Sequence, residues 1–457
     1  MLEDRSRGFD RFFRLSERGT SLRIETVAGL ATWLTMSYVI FANQTVLSSI
    51  PDRDGIRLGH DQVVAVTALV AGVMTIVMGL VANRPLAMAA GLGLNSFVAY
   101  ALVQGQQLSW PEAMGVVVME GVLITGLVLF GFRRSLIEAI PPDLRKAMAA
   151  GTGLFIAFIG LVNAGVVVPG TGTLVGLSSD LASLRILVFV FALLFTTWLL
   201  MNRTRGAIPI GILASTLLSI FLNRGFGRGL LWAGGPADVP HRWVAAPDLS
   251  LVGKFSFDFF PQLGIATALA VALALMLADF FDTYGTVTGQ SYLLDDDGTF
   301  PDLKRVLLVD ALGAVAGGVA SSSTNTTFIE SASGISEGGR TGLTSVVVGA
   351  LFLLAMPFWP VVQVIPPEAT GAVLVIIGFL LAKQLKGIEW SDPGIGIPAL
   401  LTAIVMPFTY SITNGIGIGI LSYTVIALLR GRGFQVNWLM YGLSIVFAWY
   451  FLHGLLA

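Results

Sequence analysis

Long apolar segments dominate this chain, and two of them carry carboxylates. Most of the segments approach the ~20 residues that a helix needs to cross the hydrocarbon of a bilayer. Asp279 and Asp282 lie in the segment 261–290, and Glu330 follows the polar run 321–327. A carboxylate in hydrocarbon costs ~2.5–3.5 kcal/mol on insertion scales, unless it faces a water-filled cavity, pairs with a donor or binds a proton. The pattern therefore predicts a polar site buried inside a membrane protein.

The composition supports a multi-pass membrane protein and excludes several functions. Of the 457 residues, 55% are hydrophobic and 12% are charged, whereas soluble proteins carry about 25% charged residues. The formal net charge of −1 indicates no nucleic-acid partner. Cysteine is absent and the histidines are only His60, His241 and His453, so neither a metal centre nor another cofactor is expected.

Candidate spans recur along the whole chain, and we predict about 14 of them in a lipid bilayer. The stretch 395–429 carries no charge and fits either one broken helix or two short helices. The candidates are 24–49, 62–82, 86–104, 113–132, 147–168, 186–201, 206–222, 261–290, 306–320, 326–336, 341–363, 369–386, 395–410, 412–429 and 437–456.

Basic residues predict the side of the membrane on which each loop lies. Residues 1–23 contain six arginines and no signal-peptide pattern, so we interpret them as a cytoplasmic N-terminal tail or a surface helix of a protein in the cell (inner) membrane. Alternate passes place the other basic clusters on the cytoplasmic face. The segment 223–260 then becomes an outer connecting loop, although it carries four basic residues.

Short motifs recur in the same order in the two halves of the chain. The triplet Ile-Pro-Pro at 140–142 recurs at 365–367, each time before an acidic residue and an apolar segment. A Val-Val-Val triplet at 116–118 recurs at 346–348, before each Ile-Pro-Pro. The spacing of these valine triplets places Asn95 opposite Asn325. A duplication with seven spans per half inverts the second copy, as is common in secondary transporters. The predicted repeats are 24–222 and 261–457.

Two candidate spans contain residues that disfavour a continuous helix. Segment 86–104 has two glycines and Asn95 at its centre, and segment 317–336 has two glycines and a Ser/Thr/Asn run before Glu330. We predict a strand running into a half-helix in each, with Asn95 near an N-cap and Glu330 four or five residues into its helix. Both side chains would face one cavity, because non-helical backbone at this depth needs protein or water partners. The alternative is that the glycines serve close helix packing.

The carboxylates differ in their expected roles. Asp279 and Asp282 share a helix face, and two close carboxylates favour retention of a proton by one of them, which suits proton coupling. Asp282 is preferred because the residues after it are small and polar, whereas Asp279 alternatively packs against Thr283. Glu330 is expected to accept hydrogen bonds from a planar ligand or to carry a proton; alternatively it bonds local Ser and Thr hydroxyls.

The remaining acidic residues are predicted to be structural. Glu120 is expected to pack against polar groups of another helix. Asp310 is expected at the membrane edge, since it lies five residues after Arg305. The acidic run 295–297 is predicted to be a solvated loop.

These segments resemble the azaguanine-type permeases for adenine, guanine and hypoxanthine, a branch of the nucleobase–cation symporters. The resemblance covers nearly the whole chain and is carried by residues 25–30, 91–100, 281–286, 327–332 and 337–344. It implies the uracil-permease fold, an all-α membrane protein of 14 spans in two inverted sevens. In that fold 24–132 and 261–363 form a core domain, and 143–222 and 369–457 form a gate domain. It also makes a homodimer through the gate helices an expectation.

The resemblance further implies a site. Asn95 matches the substrate-binding asparagine, Asp282 the acidic residue of the eighth span, and Glu330 the base-binding acid of the tenth. The chain departs from the family at Asn325, where relatives carry a small or apolar residue, and at Phe328, where tyrosine is common. The predicted substrate-binding residues are Gly93, Asn95, Asp282, Thr324, Asn325, Phe328 and Glu330, and the predicted proton-coupling residues are Asp279, Asp282 and Glu330.

The leading hypothesis is therefore an importer of purine nucleobases driven by proton symport. A xanthine or uracil symporter of the same fold is the first alternative, and sodium coupling is left open. An anion transporter or channel is a second alternative, but it would be expected to carry basic residues in the central segments, where the sequence has none. A membrane-embedded enzyme is disfavoured because HExxH, GxSxG and Walker patterns are absent.

Overall fold

The computed structural model is mostly helical and describes residues 10–456 except 132–138, 171–172, 174, 205, 226–231, 233–236, 239–241 and 295–302. The predicted acidic loop 295–297 lies outside the described residues. The elements are α1 (Leu22–Met36), α2 (Tyr38–Leu47), α3 (His60–Val81), β1 (Met88–Ala90), α4 (Leu92–Ser96), the π-helix α5 (Phe97–Gly105), α6 (Trp110–Leu129), α7 (Pro142–Asn163), β2 (Val167–Val168), β3 (Gly176–Leu177), α8 (Leu184–Met201), α9 (Ala207–Gly225), α10 (Phe259–Leu294), α11 (Leu303–Val319), β4 (Asn325–Thr327), α12 (Ser331–Ser336), α13 (Gly342–Ala355), α14 (Trp359–Val362), α15 (Pro367–Ala382), α16 (Pro393–Thr409), α17 (Ile412–Leu429) and α18 (Trp438–Leu456).

The helices confirm an all-α membrane protein. Ten helical stretches of the described chain are long and apolar enough to cross a bilayer. The uncharged stretch 395–429 forms two helices, because α16 ends at Tyr410 in the left-handed conformation with φ of 50°. The two Ile-Pro-Pro triplets mark the starts of α7 and α15, since proline at the first helical position loses no intrahelical hydrogen bond. The count of 14 spans stays a prediction.

The two broken segments meet at one place. β1 pairs antiparallel with β4, and Ala89 lies opposite Thr326. The pairing extends beyond the strands, because the Gly91 N–H donates to the Thr324 carbonyl at 3.0 Å and the Phe328 N–H to the Ala87 carbonyl at 2.9 Å. The backbone groups of the two breaks therefore satisfy each other, as non-helical backbone away from water requires. The predicted strands in the third and tenth spans are confirmed.

The half-helices begin at positions that differ from the prediction. Gly91 is the N-cap of α4, so Asn95 lies inside that helix and is not its cap. Glu330 immediately precedes α12 instead of lying four or five residues inside it. The reason is that the pairing of β4 with β1 holds the chain extended as far as Phe328, which delays the start of the helix.

Helix packing divides most of the described chain into two groups. In the first helix set, α3 packs against α13 and α6 packs against α11. In the second helix set, α7 packs against α15 and α16, and α8 packs against α9. The first set comprises α1–α6 and α10–α13, and the second comprises α7–α9 and α15–α18. The predicted core and gate domains, and their role as moving parts, stay a prediction.

Facing glycines bring two helix pairs into close contact, one pair in each set. Gly72 and Gly79 of α3 face glycines of α13, and Gly153 and Gly160 of α7 face glycines of α15. A Cβ added to Gly160 would lie 2.6 Å from the carbonyl oxygen of Gly371. Small residues at such contacts let helix backbones approach closely. The close approach allows the van der Waals packing that drives helix association in lipid.

We expect Gly160→Ala to destabilise the protein by about 1–3 kcal/mol, because the added methyl group must displace backbone of the opposite helix. Thermal unfolding of the purified protein in detergent measures this effect as a lower Tm. Gly126→Ala is the matched control, since a Cβ on that helical glycine meets no atom within 4 Å. Equal Tm values for the two variants would contradict the close contact.

Candidate functional site

A cavity of about 370 Å³ lies between the two helix sets. The first set contributes Gly93 of α4 together with Asp282 of α10, whose side chain is exposed to this space. The second set contributes residues of α7. A Cβ on Gly93 would lie 2.6 Å from Cγ2 of Thr152 on α7, so glycine is what allows α4 to approach that helix. The lining includes Gly93, Arg145, Lys146, Thr152, Phe281 and Asp282.

Two basic residues line this cavity, contrary to the prediction that the central segments hold none. α7 begins at Pro142, five residues before the predicted segment, so Arg145 lies in its first turn. The Arg145 guanidinium lies 5.6 Å from the centre of the Phe281 ring, within the range of a cation–π contact. Lys146 forms an ion pair with Asp143 at 3.1 Å.

Asn95 and Glu330 are not among the residues that line this cavity, so their facing one shared cavity stays a prediction. Asn95 is completely buried, and neither its amide oxygen nor its amide nitrogen has a hydrogen-bond partner. A buried polar group without a partner costs ~1–3 kcal/mol. Asn95 therefore carries one donor group and one acceptor group that no protein atom satisfies.

Glu330 has one satisfied oxygen and one that is not. The hydroxyl of Tyr38 donates to Oε1 at 2.6 Å, whereas Oε2 is buried without a partner. Tyr38 lies at the junction of α1 and α2. Its role could not be predicted from the sequence, because a single tyrosine inside an apolar span belongs to no recognisable motif. Its contact with Glu330 joins the first span to the end of the polar break.

Asp310 is buried in the protein interior and not at the membrane edge, so that prediction is wrong. It accepts hydrogen bonds from the Thr283 hydroxyl at 2.7 Å, the Thr327 N–H at 2.7 Å and the Thr327 hydroxyl at 2.8 Å. α11 begins at Leu303, earlier than predicted, which places Asp310 ~10 Å into the helix at 1.5 Å per residue. This carboxylate has its full set of donors and links α10, α11 and β4.

Asp279 and Asp282 lie on α10 in different surroundings. Asp282 is exposed to the cavity, whereas Asp279 is completely buried and both its oxygens lack a donor. The carboxyl group of Glu120 on α6 lies within hydrogen-bonding reach of Asp279. Glu120 also accepts a hydrogen bond from the Thr324 hydroxyl at 3.1 Å, in line with its predicted polar packing.

The other predicted residues support the strand crossing, the place where β1 pairs with β4. Asn325 pairs with Ala90 in the strand ladder, and its amide nitrogen donates to the Val70 carbonyl at 3.4 Å. Phe328 is buried, and its carbonyl accepts from the Gln290 amide at 2.9 Å. Their contacts hold in place the backbone that leads to Glu330.

Five carboxyl groups, from α6, α10, α11 and the residue that precedes α12, gather around this crossing. The charges of Asp310 and Glu330 act on Asp282, and two like charges 4 Å apart repel by ~4 kcal/mol at an effective dielectric constant near 20. A cluster with every member ionised is therefore unfavourable, and it favours the binding of protons, a cation or a ligand rich in donors. The members are Glu120, Asp279, Asp282, Asp310 and Glu330.

A second cavity of about 610 Å³ is lined by residues of both helix sets. Tyr100 lines it together with Tyr410, and their ring centres are 6.1 Å apart. Phe155 packs edge-on against both rings. Tyr100 thus lines this cavity as part of an aromatic cluster formed by residues of both helix sets.

Two of the segments that carry the resemblance lie together. The Glu25 carboxylate accepts from the Arg340 N–H at 2.9 Å and from the Thr344 hydroxyl at 2.6 Å. It therefore satisfies donors at the start of α13, which is a structural role.

Comparisons with known proteins agree with this architecture. The model of the permease family Xan_ur_permease matches residues 24–418. The adenine permease AdeQ of Escherichia coli is 36% identical over 442 residues, covering 96% of this chain and 95% of that protein. The guanine/hypoxanthine permease PbuG of Bacillus subtilis is 36% identical over 448 residues, covering 96% and 99%.

Solved structures of transporters share the fold. The transmembrane domain of the cyanobacterial bicarbonate transporter BicA aligns with a TM-score of 0.58 at 15% identity, covering 89% of this chain and 96% of that one. The murine anion transporter Slc26a9 in its inward-facing state aligns with a TM-score of 0.62 at 11% identity, covering 90% and 69%. At such identities the likeness is one of fold alone.

Proposed function

Since this chain belongs to the Xan_ur_permease family of membrane permeases, we propose that it imports purine nucleobases by proton symport. Relatives that match it over nearly their full length are named for adenine, guanine and hypoxanthine. The observation that carries the substrate class is the buried, unpartnered Oε2 of Glu330. A purine base presents ring N–H donors that such an acceptor binds strongly.

Asn95 supplies the complementary contact in this proposal. Its free amide nitrogen and oxygen match the acceptor and donor groups on the edge of a purine, so that binding removes two unsatisfied polar atoms at once. Gly93 admits the base close to the backbone. Thr324, Asn325 and Phe328 hold the strand crossing that keeps Asn95 and Glu330 in register.

Asp282 is the proposed proton carrier. It is exposed to the cavity, and the charges of Asp310 and Glu330 act on it, so a proton on Asp282 relieves repulsion within the cluster. Asp279 is the alternative carrier. Sodium remains the competing coupling ion.

The transport cycle is proposed to move the first helix set, as a core domain, against the second, as a gate domain. With a cytoplasmic N-terminus in the cell membrane, the cavity beside Arg145 opens to the cytoplasm and the tyrosine-lined cavity opens to the outside. Movement at this boundary would expose Asp282 to one side at a time. We also propose a homodimer that forms through the gate helices.

Uptake of labelled hypoxanthine into vesicles containing the purified protein tests the proposal. Accumulation is expected with an inward proton gradient and not with a sodium gradient alone, and unlabelled guanine and adenine are expected to compete. Accumulation of xanthine or uracil without hypoxanthine would assign a different base. Failure to move any of these bases under either gradient would refute nucleobase transport.

Arg145 and Lys146 in the cavity favour one second candidate, an anion transporter. The carboxylates Asp282 and Glu330 oppose it, because they repel an anion at the same place. Labelled bicarbonate is the probe for the same vesicles. Bicarbonate uptake in the absence of hypoxanthine uptake would replace the purine proposal by this one.

Tyr38→Phe is expected to weaken hypoxanthine binding about threefold to tenfold. The change removes the donor that orients the carboxylate of Glu330 through Oε1. Only part of the ~1.5–3 kcal/mol of that hydrogen bond is lost from binding, because the charge and Oε2 remain available to the ligand. Equilibrium binding to purified protein measures the effect. Tighter binding in the variant would instead identify Tyr38 as a competitor of the substrate for Glu330.

A further inference from the structure

We propose that Glu120 of α6 and Asp279 of α10 bind one proton between them, at a site separate from the cavity, and that purine binding requires this proton. The link to purine rests on the proposed function. The proton site itself rests only on the arrangement of the two carboxyl groups.

The contact between the two carboxyl groups requires a proton. Both side chains are completely buried and lie within hydrogen-bonding reach of each other. A carboxylate has acceptor atoms only, so two carboxyl groups form a hydrogen bond when one of them is protonated. Neither oxygen of Asp279 has a donor, and neither has Oε1 of Glu120. A single shared proton supplies the donor that this contact lacks.

The surrounding charges favour the same state. The charge of Asp310 on α11 repels a negative charge on either member of the pair. The charge of Asp282, which lies on α10 like Asp279, repels a negative charge on Asp279. Asp310 has its full set of donors and is best placed to remain ionised. If both members of the pair were ionised beside Asp310, their charges would repel each other and would also be repelled by Asp310. One bound proton halves the charge of the pair and reduces this repulsion.

The donors around the pair fit a proton better than a metal ion. Within the described ranges, no group of three or more His, Asp or Glu side chains is arranged to hold a metal. The Thr324 hydroxyl, which contacts the pair, already donates to Oε2 of Glu120. Sodium is the competing occupant that the binding experiment distinguishes.

Thr324 links the pair to the substrate site. Its hydroxyl bonds Glu120, and its carbonyl accepts the N–H of Gly91, the residue that caps the helix carrying Asn95. The next residues form β4, which leads to Glu330. Loss of the proton would place a second charge beside Thr324 and disturb the crossing that positions Asn95 and Glu330.

The proton can be observed without any substrate. In infrared spectra of the purified protein at neutral pH, a protonated buried carboxyl group gives a C=O stretching band that shifts in D₂O. We expect this band in Asp282→Asn, which lacks the proposed proton carrier, and its loss when Glu120→Gln and Asp279→Asn are added to that variant. Absence of the band in Asp282→Asn, or its persistence in the triple variant, would overturn the proposal.

Hypoxanthine binding across a pH series tests the linkage. A site that must hold one proton to bind its ligand loses affinity tenfold for each pH unit above the pH at which that proton dissociates. In Glu120→Gln the amide supplies a permanent N–H donor to Asp279 and imitates the protonated pair, so the slope of log Kd against pH should fall by one. Glu389→Gln, an exposed glutamate, is the matched control and should keep the wild-type profile.

The outcomes separate this proposal from the function on which it depends. A wild-type affinity that does not change with pH, or a Glu120→Gln profile equal to that of the wild type, would overturn the linkage. Restoration of wild-type affinity at alkaline pH by sodium, at constant ionic strength, would assign the pair to sodium. If hypoxanthine does not bind at any pH, the proposed function fails, while the infrared band still reports on the proton.

Discussion

Replacement of Glu330 by glutamine is expected to weaken hypoxanthine binding more than tenfold. Oε1 of Glu330 is held by the Tyr38 hydroxyl, so the amide group of the variant takes the position of the unpartnered Oε2. That position then holds a donor that faces the ring N–H of the base. Loss of a charged acceptor at a buried site costs ~1.5–3 kcal/mol, and each 1.4 kcal/mol is a factor of ten in Kd.

Equilibrium binding to the purified variant measures this effect, with the thermal unfolding profile confirming that the protein is folded. Glu389→Gln makes the same chemical change at an exposed position and should bind like the wild type. A well-folded Glu330→Gln protein with wild-type affinity would remove Glu330 from the substrate site. The hypoxanthine affinity of Tyr38→Phe should lie between those of Glu330→Gln and Glu389→Gln, because this change disturbs the orientation of the Glu330 carboxylate and leaves its charge in place.

Asp282→Asn is expected to abolish accumulation of hypoxanthine against its gradient. The substitution keeps the size of the side chain in the cavity and removes the group proposed to carry the proton. Binding and exchange of substrate across the membrane should persist in part, since neither needs net proton movement. Uptake and counterflow measured in the same vesicles separate accumulation from exchange.

Asp258→Asn is the matched control for that experiment, because Asp258 is exposed just before α10. A variant Asp282→Asn that still concentrates hypoxanthine, with the pH dependence of the wild type, would exclude Asp282 as the carrier. Asp279, with its partner Glu120, would then become the candidate. Loss of exchange together with accumulation would instead indicate that Asp282 binds the base.

Local sequence determined the helices and the places where they fail. Each apolar segment has a composition that favours helix in a bilayer, and its ends are marked by proline, glycine or polar residues, so predicted and observed limits agree closely for α3, α8 and α17. The glycines before Asn95 and the Ser/Thr run before Glu330 disfavour helix through propensity alone. These signals act within a few residues, which is why a single sequence reveals them.

Only the tertiary structure decided which polar groups meet. Tyr38 contacts Glu330 across 292 positions, and Thr324 contacts Glu120 across 204. The short distance from Arg305 predicted Asp310 at the membrane edge, yet the packing of α11 against α6 buries it among three threonines. Such contacts depend on how helices from the two halves of the chain pack, and local propensity carries no information about that packing. The sequence thus indicated that carboxylates must be satisfied inside the membrane, and the fold selected the partner of each one.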